Sequence, residues 1–517
     1  MNIFKKSLQV IAILLGIFLL IFFTAILWPL EELPVVPSQK DSVIQNVSII
    51  DVENGSVHRN QSVLIRDGII RQITASDSMN ISDGTVVIDA GNKYLVPGFW
   101  DMHVHTIKMS PRLHYPLMVA YGITGIRDMG LSSADSSDSF FTHMSDKRIR
   151  NLDVLAGKYP GPQILAIASH VLENAGNLDA YNSVPEKTTL EEKVQVFLEE
   201  SSKQDSDFIK LQLKGPGSRE IFKYLKKHAP NYNLPLWGHI PEEVPASEAL
   251  VHLNSLEHAR ALIYGSYKSS NEIVSGKLSH DDFDTPGLFL SEIVSGYDST
   301  KAAELFRIMK QYGTAYCPTH VTRRWEAFLD DPEYLDYKRV DYVPWLQKTM
   351  WGIDRSMMLE LDTTSTAREA FMDFYLKGLE ITGKANDEGV LIMAGTDALD
   401  SYVFYGSSMH DELEEMVKAG LTTSEALKTA TLNPAIHLGL EKEYGSIEVG
   451  KKADLIILDK NPLDDIKSIR EISAVIQNGR FYNSKKIQEL KDFTKRQAAS
   501  FSLTCKMIWH LLISIIF

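Results

Sequence analysis

The sequence predicts an α/β protein made of a (β/α)8 barrel, a small β-sandwich formed from both chain ends, and an N-terminal transmembrane helix. Three observations lead to this architecture. Short apolar strands alternate with helical patterns through the middle of the chain, strand-rich segments flank that middle, and a long apolar run opens the sequence. The 517 residues are enough for more than one domain and a large core.

The apolar run at residues 10–28 follows Lys5 and Lys6 and is long enough to cross a bilayer as a helix. It ends without a small-x-small cleavage pattern, which favours an uncleaved signal anchor over residues 1–30, with secretion after cleavage as the alternative. Basic residues before the run and acidic residues after it place the remaining chain on the extracytoplasmic side, periplasmic or extracellular. Residues 31–41, with two prolines, are predicted to form a tether.

Both ends of the remaining chain contain short β-branched segments separated by Gly, Asn and Asp turns. The segments span residues 42–50, 62–66, 68–73, 84–89, 445–458 and 474–481. We therefore expect one composite β-sandwich from residues 42–96 and 440–485. Residues 486–517 are predicted to form a helix and a short apolar tail, which either meets a membrane or docks on the protein.

Residues 97–439 alternate short apolar strands with helical patterns such as 189–203 and 300–311, which is typical of parallel α/β proteins. The strand candidates span residues 99–103, 125–129, 163–168, 208–213, 235–239, 255–258, 314–318 and 390–397. Eight such units predict a (β/α)8 barrel whose active site lies at the carboxyl ends of the strands. The long connections 259–313 and 319–389 are expected to cover the barrel mouth.

The composition is that of a globular protein and excludes several classes of function. The net charge is −14 and no long basic block occurs, so nucleic acid is not expected as a partner. The two cysteines, Cys317 and Cys505, provide neither a disulfide framework nor a cysteine-based metal site. Composition leaves the redox compartment and the oligomeric state open.

The first barrel strand ends in His103-x-His105. Because alternate residues of a strand face the same side, both imidazoles can reach one metal ion. The pair alone is weak evidence, since two surface or hydrogen-bonded histidines would produce the same pattern.

The fourth strand places Lys210 on the face opposite to Ile209 and Leu211, and therefore toward the barrel interior. A lysine there is either paired with a carboxylate, or has a pKa lowered by burial and is free to react with CO2. The carbamate formed in the second case is an anion that can bridge two cations.

Three more strands end in residues that can bind a metal: His239, His258 and Asp397. Each has an ordinary explanation, hydrogen bonding for the histidines and helix N-capping for the aspartate. Together with the His-x-His pair and the lysine, they place four imidazoles, one amine and one carboxylate at one end of one barrel. This coincidence predicts a metal centre.

Seven segments resemble the amidohydrolase superfamily, in particular its imidazolonepropionase-like and Xaa-Pro dipeptidase-like branch. They are VPGFWDMHVH at 96–105, TGIRDMG at 124–130, DFIK at 207–210, SLEHA at 255–259, GTD at 395–397, TATLNPA at 429–435 and GSIEVGKKAD at 445–454. The resemblance covers about residues 42–485. It implies a metal-dependent hydrolase barrel with a split β-sandwich.

The resemblance also implies six metal ligands. They are His103, His105 and Asp397 on the more buried metal, His239 and His258 on the second metal, and carboxylated Lys210 bridging both. Two divalent ions are expected, with zinc as the default because imidazole and carboxylate ligands suit it. Bicarbonate or CO2 would supply the carboxyl group of the lysine.

The activity implied by the resemblance is hydrolysis of C–N amide bonds in small substrates, dipeptides or N-acyl amino acids. A metal-bridging hydroxide would attack and Asp397 would act as the general base. The alternative is a mononuclear cyclic-amide hydrolase or deaminase of the imidazolonepropionase type, with His103, His105 and Asp397 on one metal and Lys210 unmodified. A non-catalytic scaffold is disfavoured because every ligand position is filled.

Substrate contacts are expected around the mouth of the barrel, after the third, seventh and eighth strands. The candidates are His170, His320, Arg323, Arg324, Tyr402 and His410. Either arginine could bind a substrate carboxylate through two parallel hydrogen bonds. Ordinary surface or loop packing is the alternative for every member of this set.

Overall fold

The computed structural model describes residues 2–130, 142–179, 188–332, 334 and 339–516. Its strands are β1 Asp41–Ile50, β2 Val57–Arg66, β3 Ile69–Ala75, β4 Val86–Asp89, β5 Tyr94–Pro97, β6 Phe99–Val104, β7 Ile123–Asp128, β8 Gln163–Ile167, β9 Ile209–Leu211, β10 Leu236–Gly238, β11 Ser255–Glu257, β12 Ala315–Cys317, β13 Leu455–Leu458, β14 Ile472–Gln477 and β15 Arg480–Asn483.

The α-helices lie between and around these strands. They are α1 Asn2–Leu27, α2 Ser110–Leu113, α3 Tyr115–Ala120, α4 Met144–Ala156, α5 Ala175–Asp179, α6 Leu190–Lys203, α7 Ser218–His228, α8 Ala246–Ala249, α9 Ala259–Gly265, α10 Ser270–Val274, α11 Pro286–Ser295, α12 Ser299–Tyr312, α13 His320–Ala327, α14 Trp345–Leu361, α15 Ser365–Asp387, α16 Ser407–Lys418, α17 Thr423–Thr429, α18 Leu432–His437, α19 Ser484–Ala498 and α20 Phe501–Ile516.

Strands from both chain ends share one mixed sheet in the order β15-β14-β13-β5-β1-β2-β3, with β4 paired in parallel to β1. The predicted segment 445–458 is a strand only from Leu455 onward. Gly445 and Gly450 have φ values of 87° and 98°, so the residues before β13 turn instead of extending. Alternating aliphatic residues of β1, β2 and β13 bury one face of this sheet.

The middle of the chain forms two parallel sheets, β6-β7-β8 and β9-β10-β11-β12. Single bridges extend this pairing beyond each sheet. Ala168 pairs with Phe208 next to β8 and β9, Tyr316 of β12 pairs with Ile392, and Val104 of β6 pairs with Ala398. The pairing therefore continues from β8 to β9, and from β12 through residues 390–398 to β6.

The predicted eighth strand, residues 390–397, is not a regular strand, although it lies between β12 and β6. Met393 N donates to Tyr316 O at 2.8 Å, and Asp397 N donates to His103 O at 2.7 Å. Between them, Ala394 N turns away and donates to Thr429 O at 2.9 Å, and Asp397 itself has a φ of 61°. These departures interrupt the regular strand and point the end of the segment toward the neighbouring strand ends.

Helices follow most of the parallel strands, and their ends follow local sequence signals. Thr189 and Glu192 form a capping box at the start of α6, and Asp298 caps α12 through the backbone N–H groups of the first turn. Gly313 ends α12 with a φ of 74°. The long connections after β11 and β12 hold α9 to α12 and α13 to α15 respectively.

Helix α1 contains a 19-residue span, Gln9–Leu27, with a mean hydropathy of 3.1, of which 6% lies buried. A helix of this kind is compatible with a signal peptide or a membrane anchor. The C-terminal helix α20 packs beside it: the Phe23 and Trp509 rings lie 5.7 Å apart, and Ser502 Oγ donates to Ala25 O at 2.7 Å.

Candidate metal centre

The ends of β6, β9, β10, β11 and the segment after β12 meet around one cavity of about 330 Å³. All six predicted metal ligands line it: His103, His105, Lys210, His239, His258 and Asp397. They come from five separate elements, so their proximity results from the fold and not from local sequence. Carboxyl ends of parallel strands are the usual location of such sites in α/β proteins.

Three imidazoles converge on the Asp397 carboxylate. Oδ1 lies 3.3 Å from His103 Nε2 and 2.9 Å from His105 Nε2, and Oδ2 lies 3.7 Å from His258 Nδ1. Ligand atoms of His103, His258 and Asp397 all lie within 4.8 Å of one another. The ring of His239 lies 4.7 Å from that of His258, between centroids. This donor set suits a divalent transition metal.

Lys210 is almost completely buried, with 2% of its surface exposed. Its Nζ has no hydrogen-bond partner among the residues that the structure describes. Burial lowers the pKa of Lys210 to about 8, against the opposing effect of the Glu257 and Asp397 charges. The sequence allowed two explanations for this lysine, and the described residues do not show the first of them, direct pairing with a carboxylate. The lowered pKa increases the neutral amine fraction, which is the form that reacts with CO2.

Glu257, a residue that the sequence analysis did not single out, supports the cavity from behind. Its two oxygens each accept a hydrogen bond from Arg127 Nη2 at 2.8 Å, and Oε2 lies 2.8 Å from His103 Nδ1. With Nδ1 directed at this carboxylate, His103 presents Nε2 to the cavity. Burial would raise the pKa of Glu257, but the Arg127 charge holds it well below its usual range. The sequence contained one signal for this pair, because Arg127 and Glu257 are each a charged residue within a predicted buried strand.

Asp101 fixes the segment that carries Asp397 against β6. Its Oδ1 accepts from Thr396 N at 2.9 Å and from His103 N at 3.3 Å, and its Oδ2 accepts from Thr396 Oγ1 at 2.7 Å. One buried carboxylate thus connects the backbone beside His103 to the backbone beside Asp397. The distance between these two predicted ligands therefore depends on Asp101.

Burial shifts the pKa values of several of the predicted ligands. Burial lowers the pKa of His103 to about 4 and lowers the pKa values of His239 and His258 well below the ordinary value. Burial would raise the pKa of Asp397, but the His103 charge and the His105 hydrogen bond hold it well below its usual range. Near neutral pH these three imidazoles are therefore neutral, and the Asp397 carboxylate is ionised.

Among the candidate substrate contacts, Arg323 lines the cavity, and its Nη1 is paired with Glu326 Oε2 at 2.6 Å. Arg324 points elsewhere, with Nη1 3.3 Å from Glu415 Oε1. The Tyr402 ring packs between two tryptophans, with centroid distances of 5.8 and 5.3 Å. The structure thus brings one of these three side chains to the cavity wall.

The candidate histidines lie outside the described cavity lining. His170 is half-buried. His320 is fully buried, and its backbone N–H donates to Glu412 Oε1 at 3.0 Å. His410 is also buried, with Nε2 2.9 Å from Tyr121 O. Burial lowers the pKa values of His320 and His410 to about 3.

Four more residues line the cavity without having been predicted: Gln212, Arg260, Leu399 and Asp400. Gln212 shares a strand face with Lys210, so strand alternation could have identified it. Arg260 follows His258 by two residues at the start of α9. Because the chain changes from strand to helix there, sequence patterns do not predict where the Arg260 side chain points.

Comparisons with known proteins show similarities in sequence over parts of the chain and in fold over most of it. The model of the amidohydrolase family matches residues 376–482. A 5'-deoxyadenosine deaminase from Methanobrevibacter smithii is 47% identical over 64 residues, which are 12% of this chain and 15% of the relative. Ochratoxinase from Aspergillus niger is 37% identical over 109 residues, 21% of each protein. The chain thus spans about a fifth or less of the length of these two curated relatives.

The fold extends the likeness to most of the chain. A Xaa-Pro dipeptidase crystallised with methionine in its active site superposes with a TM-score of 0.57 at 20% identity, covering 86% of this chain and 100% of the dipeptidase. At this identity the likeness concerns the fold. Residues 376–482 thus match the amidohydrolase family, and most of the chain is similar in fold to the dipeptidase.

Proposed function

We propose that this chain is a metal-dependent hydrolase that cleaves C–N amide bonds of small substrates, most simply dipeptides or N-acyl amino acids. The observation that carries the proposal is the convergence of three imidazoles on Asp397 beside the buried, unpartnered amine of Lys210. The likeness in fold to a Xaa-Pro dipeptidase and the ochratoxinase match support the choice of an amide.

The parallel strands are proposed to close into a (β/α)8 barrel over residues 97–439. Bridges from β8 to β9 and from β12 through residues 390–398 to β6 support closure. The mixed sheet from both chain ends would be part of the composite sandwich over residues 42–96 and 440–485. This arrangement explains why the predicted ligands share one cavity, since a closed barrel collects all strand ends at one mouth.

The residues present fit two divalent ions. His103, His105 and Asp397 would hold the first, His239 and His258 the second, and carboxylated Lys210 both. The unpartnered buried Nζ of Lys210, among the described residues, fits a centre completed by ligation. When bound, the ions supply Lewis acidity, which lowers the pKa of water and polarises a carbonyl group.

Asp397 is proposed as the residue that moves the proton. Its carboxylate is ionised and lines the cavity, so it can accept a proton from the attacking water. The protonated Asp397 carboxyl group can then return this proton to the amide nitrogen as the C–N bond breaks.

The alternative is a mononuclear cyclic-amide hydrolase or deaminase, which the match to a 5'-deoxyadenosine deaminase supports. In that case His103, His105 and Asp397 would hold one ion and Lys210 would remain a free amine. Ammonia release from a heterocycle without cleavage of any dipeptide would favour this alternative.

Helix α1 is proposed to anchor the protein, with the barrel on the extracytoplasmic side. The 94% of its apolar span that is not buried supports contact with lipid, and the charge order around the span supports the orientation. Secretion after cleavage remains the alternative, and a soluble mature protein that begins after residue 28 would favour it.

The proposal is tested by screening the full-length protein in detergent against dipeptides and N-acyl amino acids. We expect hydrolysis, and Asp397→Asn should lower turnover at least about 1,000-fold because it removes the proton acceptor. Asp330→Asn, on the exposed side chain of Asp330, is the control and should leave turnover unchanged. Amide hydrolysis that persists in Asp397→Asn would reject the proposed proton transfer.

A further inference from the structure

A second cavity, of about 520 Å³, adjoins the predicted metal centre. The two cavities share Gln212, His239 and Arg260, so they meet at these three side chains. Most of the second wall is apolar, including Leu213, Ile240, Val244, Ile273, Leu278 and Phe289. Cavities of this size and lining are typical of sites for small molecules with an apolar group.

Arg260 is the cation at the junction of the two cavities. It is half-buried, and among the described residues it forms no hydrogen bond and no ion pair within 4.0 Å. Its charge, together with that of Arg323, opposes the rise in the pKa of Glu326 that burial causes. Arg323, the other arginine on the metal-centre wall, is already paired with Glu326 at 2.6 Å. A guanidinium without a hydrogen-bonded partner beside a cavity presents a planar pair of donors that matches a carboxylate.

The other charged residues of the second cavity already have partners. Lys214 pairs with Glu173 at 3.3 Å, Glu242 accepts from Gly215 N at 2.6 Å, and His280 lies 3.2 Å from Asp281. Glu257, which also borders this cavity, is held by Arg127. Arg260 is therefore the charged group left for a ligand among these described residues.

We propose that Arg260 binds the α-carboxylate of the amino acid that forms the amine side of the scissile bond, and that the second cavity holds the apolar side chain of this amino acid. The inference rests on the proposed function and names its substrate class. In a dipeptide or N-acyl amino acid, carboxylate and side chain branch from one carbon bonded to the scissile nitrogen. A carboxylate held at the junction therefore leaves the side chain in one cavity and the amide in the other.

The reaction is a simple hydrolysis. One water adds to the acyl carbon, the C–N bond breaks, and the nitrogen takes up a proton and leaves as the free apolar amino acid. The acyl group departs as a carboxylate. No oxidant or further reactant is needed.

The carboxylate part of the inference is tested with N-acetyl-L-phenylalanine and its C-terminal carboxamide. We expect the full-length protein to prefer the free acid about 10- to 100-fold in kcat/KM, as expected for a charged hydrogen-bonded pair. Arg260→Gln should reduce that preference to about threefold or less, chiefly through KM. Arg307→Gln, an exposed arginine on α12, is the control and should retain the preference.

The side-chain part is tested by filling the second cavity. Val274→Trp, on the cavity wall, should lower kcat/KM for N-acetyl-L-phenylalanine at least about tenfold more than for N-acetyl-L-alanine, because the larger side chain loses its space. Ser275→Trp, at the exposed neighbouring position outside the cavity lining, is the matched control. It should leave the ratio of the two kcat/KM values unchanged.

These outcomes separate the inference from the proposed function. Amide hydrolysis without preference for the free acid, or a preference that survives Arg260→Gln, would overturn the inference and leave the hydrolase proposal intact. If no amide is hydrolysed, calorimetric titration with N-acetyl-L-phenylalanine decides. Binding that Arg260→Gln weakens at least about tenfold would support the ligand site, and absence of binding to the wild-type chain would overturn it.

Discussion

Glu257 shows how single residues prepare the proposed metal centre. It joins Arg127, which is fully buried, to the Nδ1 of His103, and so combines a buried ion pair with the orientation of a predicted ligand. Arg127 also donates to Met102 O and to Ser255 Oγ, which fixes the guanidinium between two strands. The backbone of β6 therefore helps to hold Arg127, which in turn holds the Glu257 carboxylate that orients His103.

Replacing Glu257 by Gln tests this arrangement. The variant keeps the shape but leaves the buried Arg127 without its counter-charge, so we expect a loss of about 3 kcal/mol in the free energy of unfolding. Metal affinity, measured by chelator competition, should fall about 10- to 100-fold because His103 loses its orienting partner.

A control separates the two effects of this substitution. Glu415→Gln also removes a fully buried carboxylate, which lies 3.3 Å from Arg324, away from the cavity. It should destabilise the protein without changing metal affinity. Equal metal affinity in wild type and Glu257→Gln would show that His103 does not depend on this carboxylate.

At the scale of elements, the irregular segment 390–397 closes the pairing between β12 and β6 and carries Asp397. Its fit depends on Gly395, where an added Cβ would lie 2.5 Å from Cys317 Sγ and 2.8 Å from His103 N. Both neighbours are buried and one is backbone, so neither can move cheaply. The absence of a side chain allows the segment to approach β6.

Gly395→Ala is therefore expected to displace the segment. We expect a loss of about 1–3 kcal/mol in unfolding free energy, measured by urea denaturation, together with reduced metal content. Gly352→Ala in α14 is the control, because its added Cβ meets nothing within 4 Å and alanine favours a helix. Normal metal content in Gly395→Ala would contradict the role given to this close approach.

The element scale also shows what sequence patterns can predict. Apolar runs located the other seven parallel strands to within about two residues, because a strand buried on both faces is a continuous apolar run. The same patterns could not reveal that Ala394 N leaves the strand pairing for Thr429, since that depends on a helix about 35 residues later. A regular strand can thus be predicted from the local sequence, whereas its interruption depends on tertiary contacts.

The residues of the candidate site can likewise be divided into those that sequence patterns predict and those that they do not. The predicted ligands could be found because each is a metal-binding residue type at a strand end. Glu257, Arg127 and Arg260 could not, because their roles depend on contacts between strands far apart in the sequence or on where a side chain points at the start of a helix. Local patterns thus predict the proposed ligands, whereas the contacts that support these ligands depend on the packed fold.

At the scale of the whole molecule, several histidines are buried as neutral groups. Burial lowers the pKa values of His114, His320, His410 and His437 to about 3. An unfolded imidazole takes up a proton below about pH 6.5, whereas these groups resist protonation down to about pH 3. Stability should therefore decrease as the pH falls from about 6.5 toward 3.

His114, whose ring stacks on Tyr405 at 3.6 Å, provides the test. The stability difference between pH 7 and pH 4.5, measured by urea unfolding, should shrink by about 2–3 kcal/mol in His114→Gln, because that variant has no imidazole to protonate there. His58→Gln, at an exposed position, is the control and should retain the wild-type difference. An unchanged pH dependence in His114→Gln would contradict this assignment.

The central claim, a two-metal centre bridged by carboxylated Lys210, is tested most directly by elemental analysis of the full-length protein purified with bicarbonate. We predict about two divalent ions per chain in the wild type and about one or fewer in Lys210→Ala, because the bridging anion is lost. About two ions per chain in folded Lys210→Ala, or one in the wild type, would contradict the claim.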